Sequence, residues 1–144
     1  MFRRLTSVAL ILGLVGCVTV PMGDPKQDAA LKAFSTKPNV AGVYIYRNES
    51  MGGGVGMDVE VDGKPLGQTA ANTYFYTEVP PGKHTVTSKA ENTDNLEVDT
   101  VAGKLYYVWQ EVKMGFLYAR TKLHLVGEEE GRKGVLETNL AASR

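Results

Sequence analysis

Residues 55–63 read VGMDVEVDG. Val55, Met57, Val59 and Val61 fall on one side of an extended chain, and Asp58, Glu60 and Asp62 fall on the other. Successive side chains of a strand point to opposite faces, so this pattern describes a strand with one buried face and one wet face. Asp62-Gly63 then supplies the dipeptide of a tight turn.

The same period of two extends in both directions. Residues 41–46 (AGVYIY) are β-branched and aromatic, as a strand requires. Residues 74–79 form a strand, Pro80-Pro81-Gly82 a turn, and residues 84–90 the returning strand. Residues 96–101 come next, with Ala102-Gly103-Lys104 turning the chain into 105–112. The last strand spans 116–126, with Leu117, Ala119, Thr121, Leu123 and Leu125 directed inward. Turn residues at regular spacing predict an all-β fold, an antiparallel β-sandwich of about seven strands. Val59, Val86, Val98, Val108 and Leu123 are expected to be buried together. A short helix is expected at each end of the mature chain. One follows Asp24 as N-cap and Pro25 at the first helical position, and the other lies in EEEGRKGVLETNLA, residues 128–141.

At 144 residues the chain has the length of one domain, and 16 basic residues balance 16 acidic ones. That balance gives no electrostatic reason to expect a nucleic-acid partner. Cys17 is the single cysteine, so no internal disulfide stabilises the fold.

The thiol follows a distinctive segment. Arg3 and Arg4 precede an apolar run at residues 5–15. As a helix this run rises about 16 Å, too short for a hydrocarbon core of about 30 Å. A positive start, a short apolar middle and a small residue at the end describe a secretory signal. Leu14-Val15-Gly16-Cys17 resembles the lipobox of bacterial lipoproteins. The resemblance implies cleavage between Gly16 and Cys17, a diacylglycerol on the Cys17 thiol and acylation of the new amine. Two or more acyl chains hold a protein firmly on a membrane. Loss of Arg3 and Arg4 with the leader leaves 14 basic against 16 acidic residues, a net charge of −2. In enteric lipoproteins an Asp after the cysteine retains the protein in the inner membrane. Val18 stands there instead, which implies the outer membrane, facing the periplasm. The expected organisation is a signal peptide at 1–16, a lipidated tether with a short helix at 17–39, and the β-domain at 40–144.

A second resemblance covers most of the mature chain. The segments VYIYRNES (43–50), VDGKPLGQT (61–69), VPPGKHTVTSK (79–89), NLEVDTVAGKLYYVWQEVKMG (95–115) and LVGEEEGRKGVLETNLA (125–141) resemble the domain-of-unknown-function 2846 family of bacterial lipoproteins. PPGKHTV is also similar to small extracytoplasmic β-sandwich modules of the PEGA type. The resemblance implies a secreted, anchored β-domain and implies no activity.

No reaction is legible. MGGGVGM (51–57) leads into a strand, whereas a phosphate loop opens a helix, and it lacks the Lys-Ser/Thr of a P-loop. Asp58 to Gly63 resembles the start of a calcium loop, but Thr69 stands where a bidentate Glu is needed. Asn92, Asp94, Asn95, Glu97 and Asp99 read as a polar loop and the wet face of a strand, or as a weaker calcium site. His84 and His124 lie on strands without HxH, HExxH or cysteine partners, and no serine sits in GxSxG. No catalytic residue, metal ligand or cofactor is expected. Alternation does send Tyr74, Tyr76, Tyr107 and Trp109 to one face if Phe75, Val79, Val108 and Val112 face the core. Those rings would offer a surface for a sugar or a partner, unless tyrosine simply suits strands or the terminal helix covers them. The expected function is a lipid-anchored, non-enzymatic envelope lipoprotein that binds or braces another envelope component. A glycan-binding module is the alternative, and a small hydrolase is the third reading.

Overall fold

The computed structural model describes residues 19–50 and 55–144. The leader, Gly16, Cys17 and the glycine run at 52–54 lie outside the described residues. Nine strands and two short helices follow in the order α1 (Pro25–Leu31), β1 (Ala41–Arg47), β2 (Met57–Val61), β3 (Lys64–Thr69), β4 (Thr73–Val79), β5 (Gly82–Lys89), β6 (Thr93–Thr100), β7 (Leu105–Met114), β8 (Ala119–Val126), α2 (Glu128–Leu136) and β9 (Asn139–Leu140). No helix among the described residues is long and apolar enough to cross a membrane.

The strands make two sheets, one in the order β8-β7-β1-β4-β9 and one in the order β3-β2-β5-β6. The expectation of antiparallel pairing holds for the four-stranded sheet and needs correction for the five-stranded one. There β1 pairs parallel with β7, and β9 pairs parallel with β4. The reason is topological: β1 is separated from β7 by the whole second sheet, and β9 follows a helix that carries the chain back along β7.

The alternation read in the sequence sorts side chains into two cores. Val43 and Ile45 of β1, Phe75 and Val79 of β4, Val108 of β7 and Leu123 of β8 share one cluster with Val59 and Val61 of β2, Val86 of β5 and Val98 of β6. The five residues expected to be buried together are all in it. The residues between them point the other way. Tyr44, Tyr46, Tyr74 and Tyr107 gather with Val135 and Leu140 in a second cluster, against which Leu31, Phe34 and Trp109 pack. Every residue of β1 is therefore buried, because helices cover one face of its sheet and the second sheet covers the other.

Both helices are seated on this tyrosine floor. Asp24 caps α1 by accepting the Lys26 N–H at 3.0 Å, with Pro25 at the first helical position. The helix ends at Leu31, earlier than Phe34, and Phe34 adopts a φ of 53°. Its ring then lies 5.5 Å from Tyr44 and 6.1 Å from Tyr107. Tyr44 donates its hydroxyl to the Leu31 carbonyl at 2.6 Å, and Tyr74 donates to Asp28 at 2.6 Å. Helix α2 approaches closely because Gly131 and Gly134 face the rings. A Cβ on Gly131 would collide with Tyr107, and one on Gly134 with Tyr46.

Beyond α2 the chain turns at Thr138 and pairs as β9, where the sequence suggested continued helix. The segment at residues 20–23 is tied to the domain as well. Met22 bridges Ala141, the Gly23 N–H donates to Leu140 O at 2.8 Å, and Val20 packs on the inter-sheet cluster.

Gly134→Ala tests the close approach. Alanine favours a helix over glycine by about 1 kcal/mol, but overpacking against an ordered ring costs about 1–3 kcal/mol. Three atoms of the Tyr46 ring lie far inside van der Waals contact of that Cβ, so the upper part of this range applies, giving a net loss of up to about 2 kcal/mol and a lower thermal midpoint. Glu129→Ala, on the exposed side of the same helix, should stay within about 0.5 kcal/mol. A midpoint for Gly134→Ala equal to that of the native chain contradicts the packing.

Candidate functional site

The aromatic residues singled out in the sequence do share one face, and that face is closed. Tyr74 is 0% and Tyr107 2% exposed, beneath α1 and α2. Tyr76 and Trp109 are partly buried at its margins. Tyr76 donates to Glu78 at 3.0 Å, and Trp109 stacks on the His124 ring at 4.9 Å. Burial pushes the Tyr46 phenol up to about 12 and also raises those of Tyr44 and Tyr74, so all three remain protonated near neutral pH. These rings form an internal floor, the covered arrangement rather than an open platform.

Most of the polar residues weighed for chemistry are engaged in bonds to neighbouring strands. Asn92 donates to Thr121 O and accepts the Thr121 N–H, Asp94 accepts the Leu123 N–H at 2.7 Å, and Asn95 accepts from Thr87. Glu97 faces Lys83 at 3.5 Å across the β5–β6 pair. Glu60 pairs with Lys89 at 2.9 Å, and His124 with Glu111 at 3.0 Å. Among the described residues no group of three or more His, Cys, Asp or Glu could hold a metal ion. His84 places Nδ1 2.6 Å from Asp62 and Nε2 2.6 Å from the Pro80 carbonyl. Both nitrogens face acceptors, so the doubly protonated ring fits the site. The Asp62 hydrogen bond raises the His84 pKa above its usual value, with burial opposing, and the same bond lowers that of Asp62.

A buried polar chain that the sequence did not reveal links the two sheets. Arg47, 0% exposed, donates to Val55 O at 2.7 Å and Thr69 O at 3.2 Å. Thr69 donates to Gln110 at 2.6 Å, Gln110 donates to Ser88 at 2.7 Å, and Ser88 meets Thr121 at 2.7 Å. Members come from β1, β3, β7, β5 and β8, so this chain fixes how the sheets sit against each other. Burial lowers the Arg47 pKa and raises that of nearby Glu49, whose carboxyl accepts the Val112 N–H at 2.9 Å.

One surface remains open and apolar. β7 and β8 are joined by residues 115–118, and Met114 (82%), Phe116 (96%), Leu117 (79%) and Tyr118 (54%) stand in solvent there. Strand β8 begins at Ala119, so Phe116 and Leu117 are not the inward start of a strand, and Leu125 at its other end is also exposed. The tip is held from the neighbouring hairpin. Glu91 accepts the Leu117 N–H at 2.7 Å and the Tyr118 N–H at 3.0 Å, and its own N–H donates to Ala119 O. These backbone donors lower the Glu91 pKa, the Leu117 N–H most. Gly115 leaves room for that carboxylate, because a Cβ there would collide with it. Only the run MGFLY itself hinted at the tip, and its residues equally suit a strand.

Residues 37–122 match the family described as "Protein of unknown function (DUF2846)". A protein of Haemophilus influenzae (strain ATCC 51907 / DSM 11121 / KW20 / Rd), described as uncharacterized, is 32% identical over 145 residues, spanning 99% of this chain and 86% of the relative. No solved structure matches the chain.

The His84 site predicts a pH dependence. Its folded pKa lies above the unfolded value of about 6.5, so its contribution is complete below that value. It is lost as pH rises through the raised folded pKa. Denaturant midpoints of the native chain should therefore fall as pH rises above the unfolded value and through the raised folded pKa, and His84→Gln should remove that component. Parallel profiles for the two chains contradict the assignment.

Proposed function

The chain belongs to the DUF2846 family, and we propose that it is a lipid-anchored lipoprotein of the cell envelope whose non-enzymatic β-domain binds or braces another envelope component. The observation that carries this reading is the place of Cys17. It ends Leu14-Val15-Gly16-Cys17 after a short apolar run, and only Val18 and Thr19 separate it from Val20, which packs on the core. An acylated Cys17 would thus mount the domain close against its membrane. Val18 in place of Asp favours the outer membrane, facing the periplasm.

We read the two sheets as the layers of a sandwich, because both contribute valines to one cluster. Hydrogen bonds tie neighbouring turns together, Glu91 to residues 117–119 and Gly103 to Val40, which suits bracing. A non-enzymatic role is supported by the engagement of His84, Asp94, Glu91 and Glu49 in local backbone or side-chain bonds. The glycan-binding alternative has lost the platform it relied on, since Tyr74 and Tyr107 lie under helices.

Labelled palmitate fed to cells should enter the native chain and not Cys17→Ala, and the variant should leave the membrane fraction or remain unprocessed. Label in the Cys17→Ala chain would show that the anchor is elsewhere.

A further inference from the structure

The Gly115–Tyr118 tip is the largest run of exposed apolar side chains among the described residues, and it is built as a fixed element. Two backbone N–H groups of the loop are held by Glu91, and its return strand is held by the Glu91 N–H. A loop ordered before it meets a partner loses less freedom on binding. Contiguous apolar surface of this kind marks an interaction site. At its base Lys113 and Arg120 are directly paired across the hairpin and exposed, Lys113 3.8 Å from Glu111 and Arg120 within electrostatic reach of Glu91, both loose surface pairings that a partner's carboxylates would compete with.

The fold also determines where this tip points. β7 runs parallel to β1 and continues past Arg47, the last residue of β1, to Met114. Thr73, where β4 begins, is the register partner of Arg47, so that end of the sheet is the end from which the tip projects. Residues 22 and 21 run antiparallel to 141 and 142, which follow β9 alongside β4. Traced back towards Cys17, the chain therefore leads away from that end. It also does so at the β9 edge, three strands across from β7. The tip and the segment at residues 20–22, the start of the described chain, lie at opposite corners of the domain.

We propose that the β7–β8 tip is a docking element for another envelope protein, one with an apolar pocket that takes Phe116 and Leu117 and a carboxylate rim that meets Lys113 and Arg120. This rests on the anchored-lipoprotein reading, under which a chain leaving at residues 22–20 would turn the tip away from the anchoring bilayer. The tip's chemistry selects a protein over a glycan. Met114 and Leu117 are not flat, and the Leu117 and Tyr118 amides that could bind hydroxyls are already held by Glu91. The two cations add the charge complementarity that steers and orients a protein encounter.

The test uses the full chain in intact cells of its own organism. A photoreactive p-benzoylphenylalanine replaces Phe116, or, as the control, Lys83 in β5 at the opposite end. Irradiation should give one discrete protein adduct from position 116 and none from position 83. Mass spectrometry of the joined peptide should place the contact in a pocket lined by apolar and acidic residues. Lys113→Glu with Arg120→Glu should reduce that adduct at least about tenfold, while Lys113→Arg with Arg120→Lys should retain it. Unchanged thermal midpoints for these surface variants keep loss of folding apart from loss of docking. No adduct, or an adduct to phospholipid, to a glycan strand or to a second copy of this chain, overturns the proposal. So does an adduct indifferent to charge reversal. Palmitate labelling is read separately: label without the adduct leaves the anchor standing alone, and the adduct without label leaves the docking element standing alone.

Discussion

The contact between helix α2 and the tyrosine rings beneath it determines most of what this chain can present to its surroundings. Gly131 and Gly134 let the helix backbone rest on Tyr107 and Tyr46, closer than any side chain would allow. The helix then delivers the chain to the far side of the sheet, where Asn139 and Leu140 add a strand beside β4. That added strand is what the N-terminal segment pairs with, through Met22 and Gly23. Helix α1 completes the cover, held by hydrogen bonds from Tyr44 and Tyr74. A single close approach thus closes the aromatic face, positions both ends of the described chain, and leaves the β7–β8 tip as the open apolar surface.

Two kinds of interaction divide the remaining work. Apolar burial between the sheets supplies the driving force, at roughly 25 cal/mol per Å² of apolar surface removed from water. The polar chain from Arg47 through Thr69, Gln110 and Ser88 to Thr121 contributes little net stability, because each such bond replaces one made to water. It matters through its alternatives. A shifted pairing of the sheets would leave several buried polar groups without partners, at about 1–3 kcal/mol each. Specificity of packing comes from that penalty.

Much of this was legible from the alternation of side chains. The period of two placed Val59, Val86, Val98, Val108 and Leu123 in one core and put Tyr74, Tyr76, Tyr107 and Trp109 on the opposite face. What covers that face was not legible, because the decisive feature is the absence of side chains at Gly131 and Gly134, and isolated glycines in a helical pattern read only as weak points. The parallel pairing of β1 with β7 depends on strands some 60 residues apart, and local pattern carries no register over such a distance. Phe116 and Leu117 were read as strand because their residue types favour strands. Their exposure follows from Glu91 on another hairpin, which satisfies the loop's backbone and frees it from pairing.

The covered face holds the N-terminal segment at Met22 and the apolar β7–β8 tip at opposite corners of one domain. A pulsed electron paramagnetic resonance distance measures this directly, with spin labels at Met22→Cys and Leu117→Cys in a chain carrying Cys17→Ala. Strand spacings of about 3.3 Å per residue along β7 and 4.8 Å between neighbouring strands place the two sites about 30 Å apart. A single narrow distribution near that distance is expected. A broad distribution, or one centred well below about 20 Å, less than the strand spacings allow, would show that the N-terminal segment is not held at the β9 edge and would contradict it.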